Sequence, residues 1–516
     1  MTMIADPPGV RFARCGRFAH CRSSSTGDAD RVEGVEREWR MTGSSRALAA
    51  EMAAPGRSTA DRAGAGKQAR ASRPRSSFAG WTAPADRTDP IGILEEQGRT
   101  RVAALLPIRY GRMAASPFSF YRGAAAIMAS DLGRDATTGL VVQLCGDAHL
   151  ENFGGFAAPD RQLLFGINDF DETHPGPFEW DVLRLAASFE IAARQLGMSD
   201  AERRRAVHRV VRAYRGAMRS FAAMTELDVW HLRLDLDALL AMVGEQVGRK
   251  VLDRIRHRAV KAHHKDRYRA LDRLTERVDG QLRFVHDPPL IVPAGELFGE
   301  ATRDELDDEI RAVLIRYRST LAYKDRRLAA GYAYHDLARK VVGVGSVGTR
   351  AWVILLLGRD DDDPLFLQAK QAEASVLEAH TEPSTFSCHG ERVVAGQSLM
   401  QAASDEFLGW DMVTGTDGVR RDYYLRQLWD WKASPAVETM DPTELDAYAH
   451  ICGWTLARSH ARTGDRIAIA SYLGKNDSFE RAIAGFAVTY ADQNERDHAA
   501  LLAAIEAGRL PAEPGV

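Results

Sequence analysis

Residues 144–154, LCGDAHLENFG, and residues 165–185, FGINDFDETHPGPFEWDVLRL, decide how this chain is read. The first stretch sets Asp147 and Asn152 five positions apart around a Gly-Asp-Ala-His turn. The second delivers Asp169 and Asp171 at the end of an apolar, strand-like run from Leu163 to Ile167. A carboxylate, an asparagine and a second carboxylate in that order suit phosphoryl transfer. Asp147 orients the proton of an acceptor hydroxyl, while Asn152 and Asp169 hold magnesium ions that bridge nucleotide phosphates. Asp171 offers a further metal oxygen, and His149 joins Asp147 as a catalytic candidate. Magnesium takes one or two protein carboxylates and fills its remaining positions with phosphate and water, so a sparse set suffices.

Each residue also has a plainer reading. An Asp or Asn at a turn commonly caps its own backbone. His149 reads equally as a loop hydrogen bond, and Glu179 and Asp181 as caps of a helix beginning near Trp180. The joint spacing of Asp147, Asn152 and Asp169 favours the catalytic reading.

The two stretches resemble the catalytic centre of aminoglycoside phosphotransferases and choline kinases, which read H-G-D-x-H-x-x-N and then D-F/W-D. Cys145 stands where that group usually has His. The resemblance implies a protein-kinase-like two-lobe fold, ATP as phosphoryl donor and Mg²⁺ as cofactor. Protein kinases follow the metal loop with a long segment that docks a polypeptide. Here eleven residues separate Asp169 from Asp181, so the expected acceptor is a small-molecule hydroxyl.

A second constellation lies at 340–380, KVVGVGSVGTRAWVILLLGRDDDDPLFLQAKQAEASVLEAH. Gly343, Gly345 and Gly348 form G-x-G-x-x-G with Ser346 inside it, a weak pattern whose plain reading is a hairpin turn. A dinucleotide fold needs such glycines to open a helix. Ala351 to Leu357 is instead β-rich, so the glycines join two strands, as in a kinase loop over nucleotide phosphates. A third strand, Leu365 to Ala369, ends at Lys370, which would hold those phosphates. A glutamate on the following helix, Glu378 in preference to Glu373, would orient that lysine. The strand-like runs Arg392–Gln401 and Tyr423–Leu428 complete the expected sheet.

The parts come in an unusual order, with the catalytic loop ahead of the glycine loop by about two hundred residues. The expectation is an α+β, protein-kinase-like fold whose motif order is circularly permuted, a change that nearby termini permit. Residues 1–87 read as a disordered basic tail. Residues 88–200 hold the catalytic and metal loops of a helix-rich large lobe, and 201–330 are its mainly helical part. Residues 331–434 form a small antiparallel β lobe, 435–505 return to the large lobe, and 506–516 are a tail. Arg109, Arg112 and Arg122 precede the catalytic loop, where they either meet phosphate or pair with the Asp-rich loops. The helix Leu445–Arg462 ends in SHARTGD, expected to pack against the catalytic loop.

The composition, 45% hydrophobic and 27% charged over 516 residues, describes more than one ordinary core and no membrane protein. Five scattered cysteines without metal-ligand spacing fit a cytoplasmic protein. Net charge is −3, split as +6 over residues 1–80 and −9 over the rest. Nucleic acid is therefore an unlikely partner, and the basic stripe Arg249–Arg273 reads as a solvated helix face. A metallophosphoesterase also uses Gly-Asp-x-His but needs an Asn-His pair that this chain lacks. A nucleotide-binding regulatory module and transfer of AMP remain alternatives.

Residues 88–505 are also similar to a bacterial family known only as domain of unknown function 2252. The likeness rests on RYGRMAASPFSFYRGAAAIMA, QLCGDAHLENFG, NDFDETHPGPFEWDVLRLAAS, KVVGVGSVGTR and SLMQAASDEFLGW. It implies no activity.

Overall fold

The structure is a computed structural model that describes residues 57–244, 247–263, 266–298, 303–341, 343–415, 417–428, 431 and 433–515. The fold is α+β. Two short antiparallel ribbons frame the decisive stretches: β1 (Val141–Leu144) pairs with β4 (His174–Pro177), and β2 (Phe153–Ala157) with β3 (Leu163–Ile167). A hairpin, β5 (Thr275–Val278) and β6 (Gln281–Phe284), forms a two-stranded sheet of its own. Six strands build the main sheet in the order β11-β12-β10-β9-β8-β7. They are β7 (Ile291–Pro293), β8 (Ala333–Lys340), β9 (Ala351–Leu357), β10 (Pro364–Ala372), β11 (Gly409–Thr414) and β12 (Arg420–Gln427), with every pairing antiparallel.

The run AWVILLL of β9 shows why this sheet is covered on both faces. Val353 and Leu355 meet Leu282, Phe284 and Phe366, while Ile354 and Leu356 meet Leu314, Tyr317 and Leu425. Successive side chains of a strand point to opposite faces, so a continuous apolar run needs two covers. Residues 201–330, expected to be mainly helical, supply β6 and β7 to that packing as well as helices.

The helical body is centred on Phe178–Gln195, whose residues from Phe178 to Ala193 are all buried. A helix enclosed all round belongs in the middle of a core. Asp200–Phe221 and Pro442–Thr463 cross beside it. A Cβ at Gly453 would meet the Val210 carbonyl oxygen at 2.1 Å, so glycine lets these two backbones touch.

Three expectations are corrected. Residues 57–87 are ordered, not a disordered tail; residues 1–56 lie outside the described residues. Ser58 and Asp61 form a capping box on the Thr59–Ser72 helix, and Phe78 and Trp81 are buried against Phe479, Phe486 and Tyr490. Two aromatics in a polar stretch gave no periodicity, yet each buries a large apolar surface. Residues 506–515 are likewise docked, with Leu510 buried and the Glu513 N–H donating to the Pro107 carbonyl. Arg392–Gln401 is no strand: Arg392 to Met400 belong to the helix His389–Met400, which Gln401 ends, and its buried Val393, Gln397 and Met400 follow helical spacing despite the β-branched pair Val393-Val394.

Candidate active site

Local pairing explains how the decisive residues meet. In the β2–β3 hairpin Phe153 faces Ile167, so Asn152 and Asn168 flank its open end, joined by the Asn168 N–H on the Asn152 carbonyl at 2.8 Å. In the other ribbon Leu144 faces His174, which brackets the Cys145–Asn152 loop and the Asp169–Thr173 loop together. Gly146 has φ +81°, and a Cβ there would lie 2.2 Å from the Glu172 carbonyl oxygen. Only glycine fits where the two loops cross.

Asp181 fixes the loop that carries Asp147. Its carboxylate accepts from the Cys145 and Gly146 N–H groups at 2.7 and 3.0 Å, and from His460 Nε2 at 3.2 Å. The reading of Asp181 as a helix cap is thus corrected: a buried carboxylate in the first turn serves a loop instead. Glu179 does the same for Thr138, taking its N–H and its hydroxyl. His460 also meets the Tyr214 hydroxyl at 2.9 Å, so SHARTGD does pack against the loop that carries Asp147, through Asp181.

Asp147 is held by Arg184, whose guanidinium reaches Oδ1 at 2.6 Å and lies over the Tyr121 ring. Asn152 Nδ2 donates to the Asp147 carbonyl at 2.8 Å. His149 is buried, its Nε2 3.8 Å from Asp147 Oδ2, beyond hydrogen-bond reach. Burial pushes its imidazole down to about 3, so the ring is neutral near pH 7.

Lys370, on β10, points its ammonium at Asp171 (2.6 Å) and Asp169 (3.3 Å). Ser346 of the glycine turn donates to Asp171 Oδ2 at 3.0 Å, and the Tyr424 hydroxyl donates to Oδ1. Burial works against the charge on Asp171, yet Lys370 and Tyr424 hold its carboxyl down at about 2. Burial likewise opposes the Lys370 ammonium, and the two aspartates still raise it above the ordinary lysine range. Burial, helped by Asp171 and Asp147, pushes Glu172 up to about 7 against the Val376 N–H and Arg392.

The expected partner of Lys370 is corrected. Neither Glu378 nor Glu373 touches it. Glu378 accepts from the Ser384 N–H at 2.9 Å, and Glu373 from Gln371 at 3.0 Å. The reason is local: β10 runs into an irregular stretch with one short turn at Glu378–His380, and the helix begins only at His389. That helix presents Arg392, which donates to the carbonyls of Asp171, Thr173 and Glu373 and ties the Asp169–Thr173 loop to β10.

One cavity of about 740 Å³ is lined by Asp147, His149, Asn152, Asp169, Asp171, Gly343, Gly345, Ser346 and Lys370. Gly348 and Glu378 are not on its wall. Gly348 has φ +92° and packs on Arg101, a turn position rather than a ligand contact. The family follows from the sequence that surrounds this cavity. A family model described as "uncharacterized protein conserved in bacteria (DUF2252)" matches residues 101–504. The chain belongs to the DUF2252 family. No curated protein and no solved structure matches it.

In this DUF2252 chain the sequence missed Arg184, Tyr424, Arg426 and Arg392. Arg426 reaches the Asn168 carbonyl at 3.0 Å and lines the cavity. Arg184 had a signal, one helical turn after Asp181, but the three residues from β12 and its neighbouring helix had none. No described helix is long and apolar enough to cross a membrane.

Proposed function

We propose that this DUF2252 protein is a Mg²⁺- and ATP-dependent phosphotransferase acting on a small-molecule hydroxyl, with a two-lobe, protein-kinase-like fold in permuted order. The observation that carries the reading is the convergence of Lys370, Ser346, Asp169, Asp147 and Asn152 on one cavity. These are the parts of a kinase site: a glycine-turn cover, a strand lysine for the phosphates, metal-binding Asp and Asn, and an aspartate for the acceptor.

The donor set fits Mg²⁺. Asn152 spends its amide nitrogen on Asp147, which leaves Oδ1 for a cation. Asp169 is about a third exposed and bonded to Lys370 through one oxygen. Among the described residues no three His, Cys, Asp or Glu side chains form a metal cage. That sparse set suits an ion completed by nucleotide phosphates and disfavours the two-metal phosphoesterase. Bound Mg²⁺ would neutralise charge on the transferring phosphoryl group.

In the proposed mechanism Lys370 leaves the aspartates for the nucleotide phosphates, and Ser346 covers them. Asp147, kept in place by Arg184, accepts the hydroxyl proton as the acceptor oxygen bonds to phosphorus and the bond to the leaving ADP oxygen breaks. Positioning carries most of the catalysis in such loose transition states. Thermal-shift titration with ATP, with and without Mg²⁺, tests the reading, followed by ATP consumption over small-molecule pools. Mg²⁺-dependent stabilisation that disappears in Asp169→Ala is expected. Unchanged Mg²⁺-ATP affinity in that variant removes the metal assignment, and tight Mn²⁺ or Zn²⁺ binding without nucleotide restores the phosphoesterase.

A further inference from the structure

Arg101 and Arg109 line the same cavity but have no place in the mechanism above. Arg109 is 1% exposed and donates only to uncharged oxygens, Gln97 Oε1 and the Gly123 carbonyl, both through one nitrogen. Its Nε and its other terminal nitrogen have no hydrogen-bond partner, nor does Arg101 Nε. Arg101 donates to the Val347 carbonyl, and its stem packs under Gly348. Arg122, by contrast, is paired with Glu151 at 2.9 Å. Glu373 and Glu172 attract these two guanidiniums but neither makes an ion pair with them, and desolvated charge beside a polar cavity needs a closer counter-charge. Burial, together with the nearby Arg101 charge, brings Arg109 down to about 9.

The geometry points to a second anion subsite in this cavity, built by Arg101 and Arg109 beneath the glycine turn and taking a phosphate group. Forked guanidinium donors match phosphate oxygens, and one dianion offsets both charges. The subsite uses side chains other than Lys370, whose ammonium is bonded to Asp169 and Asp171. It deepens the phosphotransferase reading and rests on it for its occupant, which has two sources. One is the terminal phosphate of the nucleotide, and the other is a phosphate ester carried by the acceptor.

Calorimetric titration of the full chain with inorganic phosphate tests this in three arms: alone, saturated with Mg²⁺-ADP, and saturated with a Mg²⁺-bound non-hydrolysable ATP analogue. Phosphate should bind saturably to the ADP-loaded protein, and Arg101→Gln and Arg109→Gln should each weaken it about tenfold or more. ADP affinity should stay within about twofold of wild type. Loss of phosphate binding with the ATP analogue assigns the subsite to the terminal phosphate, whereas persistence assigns it to a phosphorylated acceptor. If Arg109→Gln does not fold, the partly exposed Arg101→Gln decides. No phosphate binding in any arm, or binding indifferent to the substitutions, overturns the subsite even where nucleotide binds. Arginine-dependent phosphate binding without nucleotide binding keeps the subsite and removes the phosphotransferase.

Discussion

Lys370 and Asp171 are 199 positions apart in the chain and 2.6 Å apart in the fold, ammonium to carboxylate. Through this pair the six-stranded sheet is fastened to the loop that follows β3, with Ser346 and Tyr424 adding their hydroxyls to the same carboxylate. The glycine turn, the lysine strand and the Asp-rich loop thus share one junction.

Lys370→Met should expose the cost of that junction. Removing one partner of an enclosed ion pair strands the other, here on the order of 2–3 kcal/mol because Asp171 keeps some exposure. Asp171, depressed to about 2 when folded, contributes stability above its ordinary value near 4 that fades as pH falls through about 2. Urea unfolding from pH 7 downward should show that acid-side loss in wild type and a smaller one in the variant. Equal stability at pH 7 refutes the pairing as a stabilising contact.

Asp147→Asn should lower turnover by roughly a hundredfold or more and leave Mg²⁺-ATP affinity nearly intact. The base is lost, but the phosphate contacts lie elsewhere. The variant should also melt lower, since buried Arg184 loses the carboxylate 2.6 Å away. Steady-state rates set against nucleotide titration separate the two effects. Wild-type turnover in the variant ends the catalytic assignment.

Glu172 gives a pH signature. Its folded carboxyl, near 7, lies above the unfolded value near 4.5, so the folded state holds a proton that the unfolded chain releases. The stability this lends is present below about 4.5 and is lost as pH rises to about 7. Glu172→Gln lacks the titration. Its melting temperature relative to wild type should therefore climb across that window and level off above it. Contributions from neutral His149 occur in both proteins and cancel; a flat difference contradicts the shift.

Trp81→Ala tests whether residues 57–87 belong to the folded body. Trp81 is 8% exposed and packs on Phe486 and Tyr490. Truncating a buried tryptophan costs about 3–5 kcal/mol. A denaturant midpoint equal to wild type would show the segment to be a loose appendage.

The sequence alone placed Asp147, Asn152, Asp169, Asp171 and Lys370 correctly within their local elements. Their spacing is set by short-range structure: a four-residue strand, a tight hairpin and an apolar strand each leave a pattern within a dozen residues. The strand β3 ahead of Asp169, the glycine turn between β8 and β9 and the lysine at β10 were legible for that reason, whereas β2 was not. Local pattern also misled, as when Val393-Val394 suggested a strand in a helix and polar residues around Phe78 and Trp81 hid an ordered segment. Which carboxylate meets Lys370 was beyond local reach. Glu378 is eight residues away and Asp171 is 199, yet the path of the chain after β10 turns Glu378 aside. Tyr424, Arg392 and Arg101 join the site for the same reason. A charged side chain carries no sign in sequence of the distant group that will compensate its burial, and only the packed fold supplies or withholds that partner.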